Sequence, residues 1–397
     1  MAILLSDAGL HRQLLPLTFT RPVAALRAGI LTITETWQQL VDMPVGHLTE
    51  GYLQTKFPQV KADRVFEVHG GLLPTEALAT AVLDLEPGQV LLKEGKPLAF
   101  CLEGAAHAAE MDWTVPPAFL AQVEFKGQVI VIERPWHLFQ HCATAIAHDF
   151  ALLTEGRRSA PLSALNTVIG DPKLVFLEEG AQVEASILNT TNGPVYIGSD
   201  AEVMEGCMVR GPFALGDHAQ LKMGAKIYGP CSFGPECRVG GEVNNSVMLG
   251  YSNKGHDGFL GNSVLGEWCN LGADTNTSNL KNTYGEVAAW SYVEEAFVST
   301  GQQFLGLIMG DHAKSGINTM FNTGTVAGPC ANIFGGGFPP KHIPAFAWGG
   351  AEGFATYALD KAFSTCRRVM ERRHVPLTTD DEDILRYIFE STAQYRD

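Results

Sequence analysis

Apolar residues recur at every sixth position through the middle of the chain. The series runs without a gap over Ile197, Val203, Val209, Leu215, Leu221, Ile227, Phe233 and Val239. A second series starts four residues later and is mostly small and apolar, with Ala201, Cys207, Phe213, Ala219, Ala225, Cys231, Cys237 and Val243. A period of six fits neither the turn of an α-helix nor the alternation of a strand, but it is typical of hexapeptide repeats stacked into a parallel β-helix. The pattern predicts a β-helix over residues 174–336.

The period of six is interrupted twice. It breaks after Val243 through residues 244–258, resumes at Phe259, and breaks again over residues 276–305. Insertions in a stacked repeat leave the stack as loops, and such loops often carry binding sites. The first break contains Asn253–Gly258, which reads NKGHDG. We therefore expect a functional site at this break.

The first 155 residues have the mixed patterning of an α/β domain. Ala2–Leu5 predicts a strand, and the spacing of Thr32 and Glu35 is that of a capping box at the start of a helix. Val129–Ile132 predicts a buried strand, and apolar residues at helical spacing over 139–153 predict a helix that ends the domain.

The remaining segments complete a division of the chain into four parts. Residues 156–173 are predicted to be a linker, 174–336 the β-helix, and 337–397 a helical extension in which Pro376 separates two short helices. The predicted fold is thus an α/β domain, a parallel β-helix and a C-terminal helical tail.

Composition narrows the classes of partner. The chain has 397 residues, with 43 acidic and 28 basic side chains and a net charge of −15. This charge disfavours nucleic acid and anionic membrane surfaces as partners. The eight cysteines include no C-x-x-C pair, and no apolar stretch is long enough for a membrane span. We expect buried, reduced cysteines and a cytoplasmic protein.

The residues at the first break carry a resemblance to a known family. Lys254-Gly255-His256 is followed by Asn270-Leu271-Gly272-Ala273-Asp274-Thr275 and Ser278-Asn279. In order and spacing these segments resemble the hexapeptide-repeat sugar acyltransferases, in particular the bacterial bifunctional enzymes that make UDP-N-acetylglucosamine. The resemblance implies a left-handed β-helix, a homotrimer, and acetyl-coenzyme A bound between neighbouring helices as co-substrate.

The same resemblance assigns roles to individual residues. His256 corresponds to the general base, a role that suits an imidazole because it accepts a proton near neutral pH. Lys226, Asn244, Lys254 and Asn270 are assigned to the sugar phosphate, while Ala273 and Asn279 are assigned to the coenzyme. With coils of three hexapeptides each, as the family implies, Lys226 and Asn244 would lie on one line and grip the phosphate.

The first domain resembles the sugar-1-phosphate nucleotidyltransferases. The segment from Leu17 to Gly29 follows the outline of their phosphate-binding region, although the glycine-rich loop is reduced to Asp7-Ala8-Gly9-Leu10. Glycines let a loop present several backbone N–H groups to a phosphate, so Arg12, Arg21 and Arg27 are the candidate substitutes. Mg²⁺ is expected only if this domain is active. His137 and His141 lie one helical turn apart but lack a third candidate ligand, so no metal site is predicted.

These observations favour one function and leave two alternatives. The first is transfer of an acetyl group from acetyl-coenzyme A to an amino sugar phosphate, with His256 as the base. The second is sugar-1-phosphate nucleotidyl transfer in the first domain, and the third is a non-catalytic trimeric scaffold that binds a sugar nucleotide.

Overall fold

The computed structural model describes residues 1–103 and 111–396. The described residues belong to two compact units. One contains residues 1–14, 20–26 and 31–134, and the other contains residues 15–19, 27–30 and the chain from 135 onward.

The first unit is built on a mixed six-stranded sheet. Its strands are β1 (Ala2–Ser6), β2 (Val45–Leu48), β3 (Arg64–His69), β4 (Gln89–Lys93), β5 (Lys96–Glu103) and β6 (Ala121–Glu124), in the order β2-β1-β3-β5-β4-β6. The first strand pairs in parallel with β2 and β3, so the carboxyl ends of these three strands meet at one edge. The helices of this unit are α1 (Ile33–Leu40) and α2 (Glu76–Leu83).

Two of the local predictions for this region are confirmed and one is wrong. The strand at Ala2–Leu5 is β1, and the Thr32 side chain caps α1 while Glu35 completes the capping box. The strand predicted at Val129–Ile132 is absent, and Val131 forms only an isolated bridge with Leu72. Residues 129–131 are half-buried, and the sheet ends instead at β6.

The second unit is a left-handed parallel β-helix of about 10 turns. Its strands form three long sheets, which we call faces 1, 2 and 3. Face 1 contains Thr167–Ile169, Ile187–Asn189, Met208–Arg210, Lys226–Tyr228, Glu242–Asn244 and Phe259–Gly261. Face 2 contains Val175–Leu177, Val195–Ile197, Phe213–Leu215, Cys231–Phe233, Val247–Gly250, Val264–Glu267, Leu307–Met309, Thr325–Ala327 and His342–Ile343. Face 3 contains Gln182–Val183, Glu202–Val203, Gln220–Leu221, Arg238–Val239, Asn253–Lys254, Asn270–Leu271, Lys314–Ser315, Asn332–Ile333, Ala347–Gly350 and Gly353–Thr356.

The two six-residue series form the interior of the β-helix. Every residue of both series, from Ile197 to Val243, is at most 1% exposed. Each aliphatic side chain buried in this way contributes about 1.5–3 kcal/mol, so the stacked columns provide the main stabilisation of the unit. The predicted parallel β-helix is confirmed.

The coils are not all of one length, and this corrects one predicted alignment. Met208 pairs with Lys226, which follows it by three full hexapeptides, but Lys226 then pairs with Glu242, which comes two residues too early for that spacing. Asn244 consequently lies opposite Tyr228. The shared line predicted for Lys226 and Asn244 is wrong, because the shortened coil shifts the register by two residues.

The other elements of the second unit lie outside the stacked coils. They are the antiparallel hairpin of Val287–Ser291 and Ala296–Gln302, and helices α3 (His137–Thr154), α4 (Leu359–Glu371) and α5 (Thr379–Ser391). Within the stacked coils, two further short strands, Asn276–Thr277 and Met320–Phe321, pair with each other, and Phe321 is part of the buried core. Short 3₁₀ helices occur in both units: His11–Leu14 and Val23–Ala25 lie in the first, Pro172–Leu174 and Ala393–Tyr395 lie in the second, and Leu17–Thr20 ends at the boundary between them in sequence.

The helices predicted over 139–153 and on either side of Pro376 are confirmed as α3, α4 and α5. In the part of the chain that the structure describes, no helix is both long enough and apolar enough to cross a membrane. The division of the chain at 155, 173 and 336 stays a prediction.

Candidate functional site

A cleft of about 700 Å³ opens in the β-helix unit. It lies between the outer surface of face 3, the neighbouring coil corners and the carboxyl end of α4. Its lining is dominated by cationic, amide and aromatic side chains together with a glycine-rich loop. The residues are Lys222, Arg238, Tyr251, Asn253, Gly255, His256, Trp268, Asn270, Leu271, Gly272, Ala273, Lys314, Ile317, Val369, Arg372 and Arg373.

The outward side chains of face 3 form a ladder along the floor of the cleft. Arg238 pairs with Asn253, Asn253 with Asn270, and Asn270 with Lys314. Side chains alternate along a strand, so the residues that follow them point into the core while these four point out. The ladder places polar groups at fixed positions on successive coils.

His256 lies in the corner loop that connects face 3 to face 1. The loop follows the strand Asn253–Lys254, and the His256 side chain is exposed. Its backbone neighbours are anchored, since Asp274 N–H donates to the Asp257 carbonyl at 3.1 Å and Glu242 N–H to the Gly258 carbonyl at 3.3 Å. Gly258 has φ of +114°, and a Cβ there would lie 2.3 Å from the Thr275 carbonyl oxygen. Glycine is therefore required for the loop to lie against the next coil.

The imidazole of His256 has no hydrogen-bond partner among residues 1–103 and 111–396. Within the same ranges, no ion pair joins the ring to Asp257, the residue that follows it in sequence. The imidazole is thus open to the cleft, as a group that exchanges a proton with a bound molecule must be.

Lys254 is buried rather than directed into the cleft. It is 2% exposed and its Nζ donates to the His256 carbonyl oxygen at 2.5 Å. Burial lowers the pKa of this ammonium group to about 8, against the opposing effect of Asp257 and Asp274.

The cleft carries an excess of positive charge. Five of its side chains are cationic, namely Lys222, Arg238, Lys314, Arg372 and Arg373. The Glu236 carboxylate pairs with two of them, at 3.0 Å from Arg238 and 3.3 Å from Arg373. Burial, followed by repulsion from Arg238, lowers the pKa of both Lys222 and Arg373. Such repulsion within a cleft is relieved by a bound anion.

Arg373 also fixes the end of α4 against face 3. Besides its pairing with Glu236, its guanidinium donates to Asn253 Oδ1 at 3.2 Å. Arg372, which precedes it in the sequence, makes neither a side-chain hydrogen bond nor an ion pair with the described residues. The turn that follows α4 therefore presents one arginine for packing and one for a ligand.

Aromatic side chains form a second wall. The rings of Tyr251 and Trp268 are stacked, with centroids 4.2 Å apart and an interplanar angle of 19°. Trp268 also stacks over His312, at 6.2 Å and 8°. These residues occupy equivalent coil corners with φ of +55°, +61° and +60°. A flat, electron-rich surface beside cations suits a ligand that has both an aromatic ring and phosphates.

The structure brings only some of the sequence-assigned residues into this cleft. His256, Asn270 and Ala273 line it. Lys226 lies on face 1, where its Nζ is 3.9 Å from Glu242 Oε2, and Asn244 lies on the same face. Asn279 donates to Asn262 Oδ1 at 2.8 Å, outside the cleft lining.

Sequence reasoning missed the five cations and the aromatic pair. Arg238 and Lys314 occupy outward ladder positions, which a strand-by-strand register would have shown. Arg372 and Arg373 reach the cleft only because α4 folds back onto face 3, and the local pattern of α4 does not indicate that contact.

The three arginines proposed for the first domain lie in different environments. Arg12 is exposed, whereas Arg21 is 5% exposed and Arg27 is 6% exposed. Arg27 donates to the carbonyls of Leu249 and Ile30 within the β-helix unit.

Asp7 lies at the sheet edge where β1 ends, and its carboxylate already accepts hydrogen bonds from neighbouring residues. Asp7 accepts from the backbone of Val23 at 2.7 Å and from Thr49 Oγ1 at 2.5 Å, and it lies 3.3 Å from His11 Nδ1. No cluster of three metal-ligating side chains occurs in the described ranges. These donors do not fit a Mg²⁺ site, and no step through Mg²⁺ follows from them.

Comparison with known proteins gives matches to sugar nucleotidyltransferases and acetyltransferases. Residues 2–158 match the sugar nucleotidyl transferase family. The chain is 34% identical over 165 residues to a bifunctional sugar-1-phosphate nucleotidylyltransferase/acetyltransferase of Sulfurisphaera tokodaii, covering 41% of this chain and 40% of that protein. It is 31% identical over 87 residues to the bifunctional protein GlmU of Methanococcus aeolicus, covering 22% of this chain and 20% of that protein. The chain thus spans two fifths or less of the length of these curated relatives.

Among solved structures, the polySia-specific acetyltransferase NeuO aligns with 53% of this chain and 99% of that chain, at 10% identity and a TM-score of 0.31. A UDP-N-acetylglucosamine acyltransferase from Campylobacter jejuni aligns with 58% of this chain and 96% of that chain, at 12% identity and a TM-score of 0.19. These values are too low to inform the site. The sequence matches confirm that the chain resembles the bifunctional sugar nucleotidyltransferase/acetyltransferases, and that residues 2–158 are similar to the sugar nucleotidyl transferase family.

Proposed function

We propose that the protein transfers an acetyl group from acetyl-coenzyme A to the amine of an amino sugar phosphate, in a route to UDP-N-acetylglucosamine or a related sugar nucleotide. The observation that carries this proposal is the cleft itself. It combines the open imidazole of His256 with five cationic side chains and a stacked aromatic pair.

The donor matches the two walls of the cleft. Coenzyme A carries an adenine ring and several phosphate groups, and it is therefore both flat at one end and strongly anionic. Tyr251, stacked on the buried Trp268, offers the ring surface, while Lys314 and Arg372 offer charge-assisted hydrogen bonds to phosphate. Ala273 lines the same cleft and stays the proposed coenzyme contact, together with Asn279.

The acceptor contacts proposed from sequence lie on both sides of the His256 loop. Asn270 is in the cleft, whereas Lys226 and Asn244 are on face 1, beyond the corner. Lys226 remains the proposed ligand of the sugar phosphate.

The chemistry needs a base and an oxyanion donor. The amine attacks the thioester carbonyl while His256 takes its proton, so that a C–N bond forms. The C–S bond then breaks, and the proton passes to the leaving thiolate to give free coenzyme A. The backbone N–H of Ala273 is the proposed donor to the oxyanion, since it lines the cleft and makes no backbone hydrogen bond within the described ranges.

Release of coenzyme A thiol tests this proposal. Purified protein is incubated with acetyl-coenzyme A and glucosamine 1-phosphate, and free thiol is followed with a colorimetric reagent. We expect His256→Ala to lower the rate by about 100-fold or more. His218→Ala is the matched control, because His218 is also an exposed corner histidine but lies outside the cleft lining. Equal rates for wild type and His256→Ala would refute the assigned base.

We also propose that the protein is a homotrimer that associates through face 1. This face exposes Ile187 and Met208 side by side in one column, and Ile169 and Tyr228 in the adjacent column, where Asn189 and Arg210 lie between them. Apolar patches of this kind are typical of protein interfaces. The resemblance to a trimeric family makes a second copy of this chain the proposed occupant.

A second candidate function is favoured by the family match of residues 2–158, which are similar to sugar nucleotidyl transferases. We propose that this region forms a nucleotide sugar from a nucleoside triphosphate and a sugar phosphate. Pyrophosphate release from UTP plus N-acetylglucosamine 1-phosphate measures this activity. Arg12→Ala and Arg21→Ala are expected to lower it, and an unchanged rate in both variants would count against these arginines.

A further inference from the structure

An inward column of face 3 contains one residue that does not fit its surroundings. Val203, Leu221 and Val239 follow one another in register, and Lys254 is paired with Val239 on the next coil. All four are at most 2% exposed. A lysine thus occupies a position that in the three preceding coils holds an aliphatic side chain.

This choice of residue works against stability. A buried ammonium group loses its hydration, and desolvation is the largest effect on Lys254. An aliphatic side chain would fill the column without that cost. Residues that break the local pattern in this way occur mainly at functional sites, where the lost stability is offset elsewhere.

The contact that Lys254 makes points to its role. Its Nζ donates to the carbonyl oxygen of His256 at 2.5 Å. Within the described ranges it is the one side chain that hydrogen-bonds to the backbone of residues 255–258. The contact is closely packed, because a Cβ added to Gly241 would lie 2.8 Å from both Lys254 Nζ and the His256 oxygen.

The imidazole itself is not held by a partner side chain. Its ring makes no hydrogen bond to the described part of the chain, so its direction depends on the backbone from which it projects. The backbone is fixed from the outside by the neighbouring coil and from the inside by Lys254.

We infer that Lys254 is a positioning residue, which holds the His256 backbone from inside the β-helix so that the imidazole points into the cleft. This inference rests on the proposed acetyl transfer. It replaces the substrate-binding role that resemblance assigned to Lys254, because the amine lies in the interior and not in the cleft.

A double-mutant cycle tests the inference. Lys254→Met keeps the length of the side chain and removes its donor, and we expect kcat to fall about tenfold with both KM values within about twofold of wild type. Because Lys254 acts through His256, the same substitution in a His256→Ala background should change the residual rate by less than about twofold. The melting temperature of Lys254→Met should equal or exceed that of wild type, since a buried charge is removed.

The outcomes separate this inference from the proposed function. Absence of thiol release from wild type would refute the proposed function, and thiol release that survives His256→Ala would refute the assigned base. A large effect of His256→Ala with wild-type kcat in Lys254→Met, or with additive effects in the double variant, would overturn the positioning role alone. Lys254→Leu, which matches the neighbouring column residues, serves as a second variant. Failure of both variants to fold would assign Lys254 to stability and overturn the inference.

Discussion

At the scale of single residues, the site depends on side chains whose positions the repeat pattern does not determine. From Ile197 to Val239 every sixth residue is apolar, because it points into the core of coils that repeat with equal length. Lys254 pairs with Val239 although it comes three residues too early for a full coil, and Asn253 pairs with Arg238 in the same way. Because this coil is shorter, counting in steps of six from Val239 does not reach Lys254, and its inward position cannot be recognised from the period. The sequence therefore predicted the His256 loop but not the interior position of the lysine beside it.

Lys254 should make stability depend on pH in a defined window. Its pKa is lowered by burial from 10.5 to about 8 in the folded protein. Between these values the unfolded chain binds more protons than the folded one, so this residue makes stability rise with pH. Below pH 8 its full cost, about 3 kcal/mol, is present.

The measurement is the free energy of unfolding by urea at pH 7.5 and at pH 10, in wild type and Lys254→Met. Cysteines exposed on unfolding also titrate in this range, whereas burial raises the pKa of Cys231 and Cys237 to about 12 in the folded protein. The quantity to compare is therefore the difference between the two proteins. We expect Lys254→Met to be more stable than wild type at pH 7.5, with a smaller difference at pH 10. A difference that does not change with pH would contradict a buried, titrating Lys254.

At the scale of elements, α4 is the part of the site that sequence reasoning could not supply. Its helical spacing was visible, but the direction in which an amphipathic helix docks depends on the surface that receives it. Arg373 attaches α4 to face 3 through Glu236 and Asn253, and this leaves Arg372 facing the cleft. The two adjacent arginines that follow α4 thus serve different purposes.

Arg372→Gln should weaken binding of the donor without disturbing the fold. We expect the KM for acetyl-coenzyme A to rise about 3- to 10-fold, as for the loss of one charge-assisted contact with phosphate, while kcat changes little. The dependence of this KM on ionic strength should also decrease.

Arg367→Gln is the matched control, because Arg367 lies in the last turns of α4, close to Arg372 in sequence, but pairs with Glu382 and does not line the cleft. Steady-state kinetics at two salt concentrations provides the measurement. Similar KM values for wild type and Arg372→Gln would contradict the prediction, since they would mean that Arg372 does not contact the phosphates of acetyl-coenzyme A.

At the scale of the whole molecule, the charge of the cleft contrasts with that of the chain. A net charge of −15 repels anions at long range, whereas the cleft gathers five cations near the carboxylate of Glu236. Attraction of an anionic ligand is therefore local. The net charge of the chain disfavours nucleic acid as a partner. It does not indicate that a cleft of the protein is cationic and suited to a small anionic ligand.

Face 1 offers a test of assembly. Met208→Asp places a charge beside Ile187 on the exposed part of face 1, and burying it between copies would be costly. We expect light scattering to show a trimer for wild type and a monomer of 42.9 kDa for the variant. Val293→Asp, in the turn of the 287–302 hairpin, changes an exposed apolar residue away from face 1 and should leave the trimer intact. A trimer in both variants would exclude face 1 as the interface.

The ladder of Arg238, Asn253, Asn270 and Lys314 has a consequence for the size of the ligand. Neighbouring strands are about 4.8 Å apart, so the two cations at its ends are separated by about 14 Å along the axis. The number of coils between two charges sets the length of molecule that can reach both. Insertion or deletion of one coil would lengthen or shorten that distance by about 4.8 Å, which gives this fold a simple evolutionary route to longer or shorter ligands.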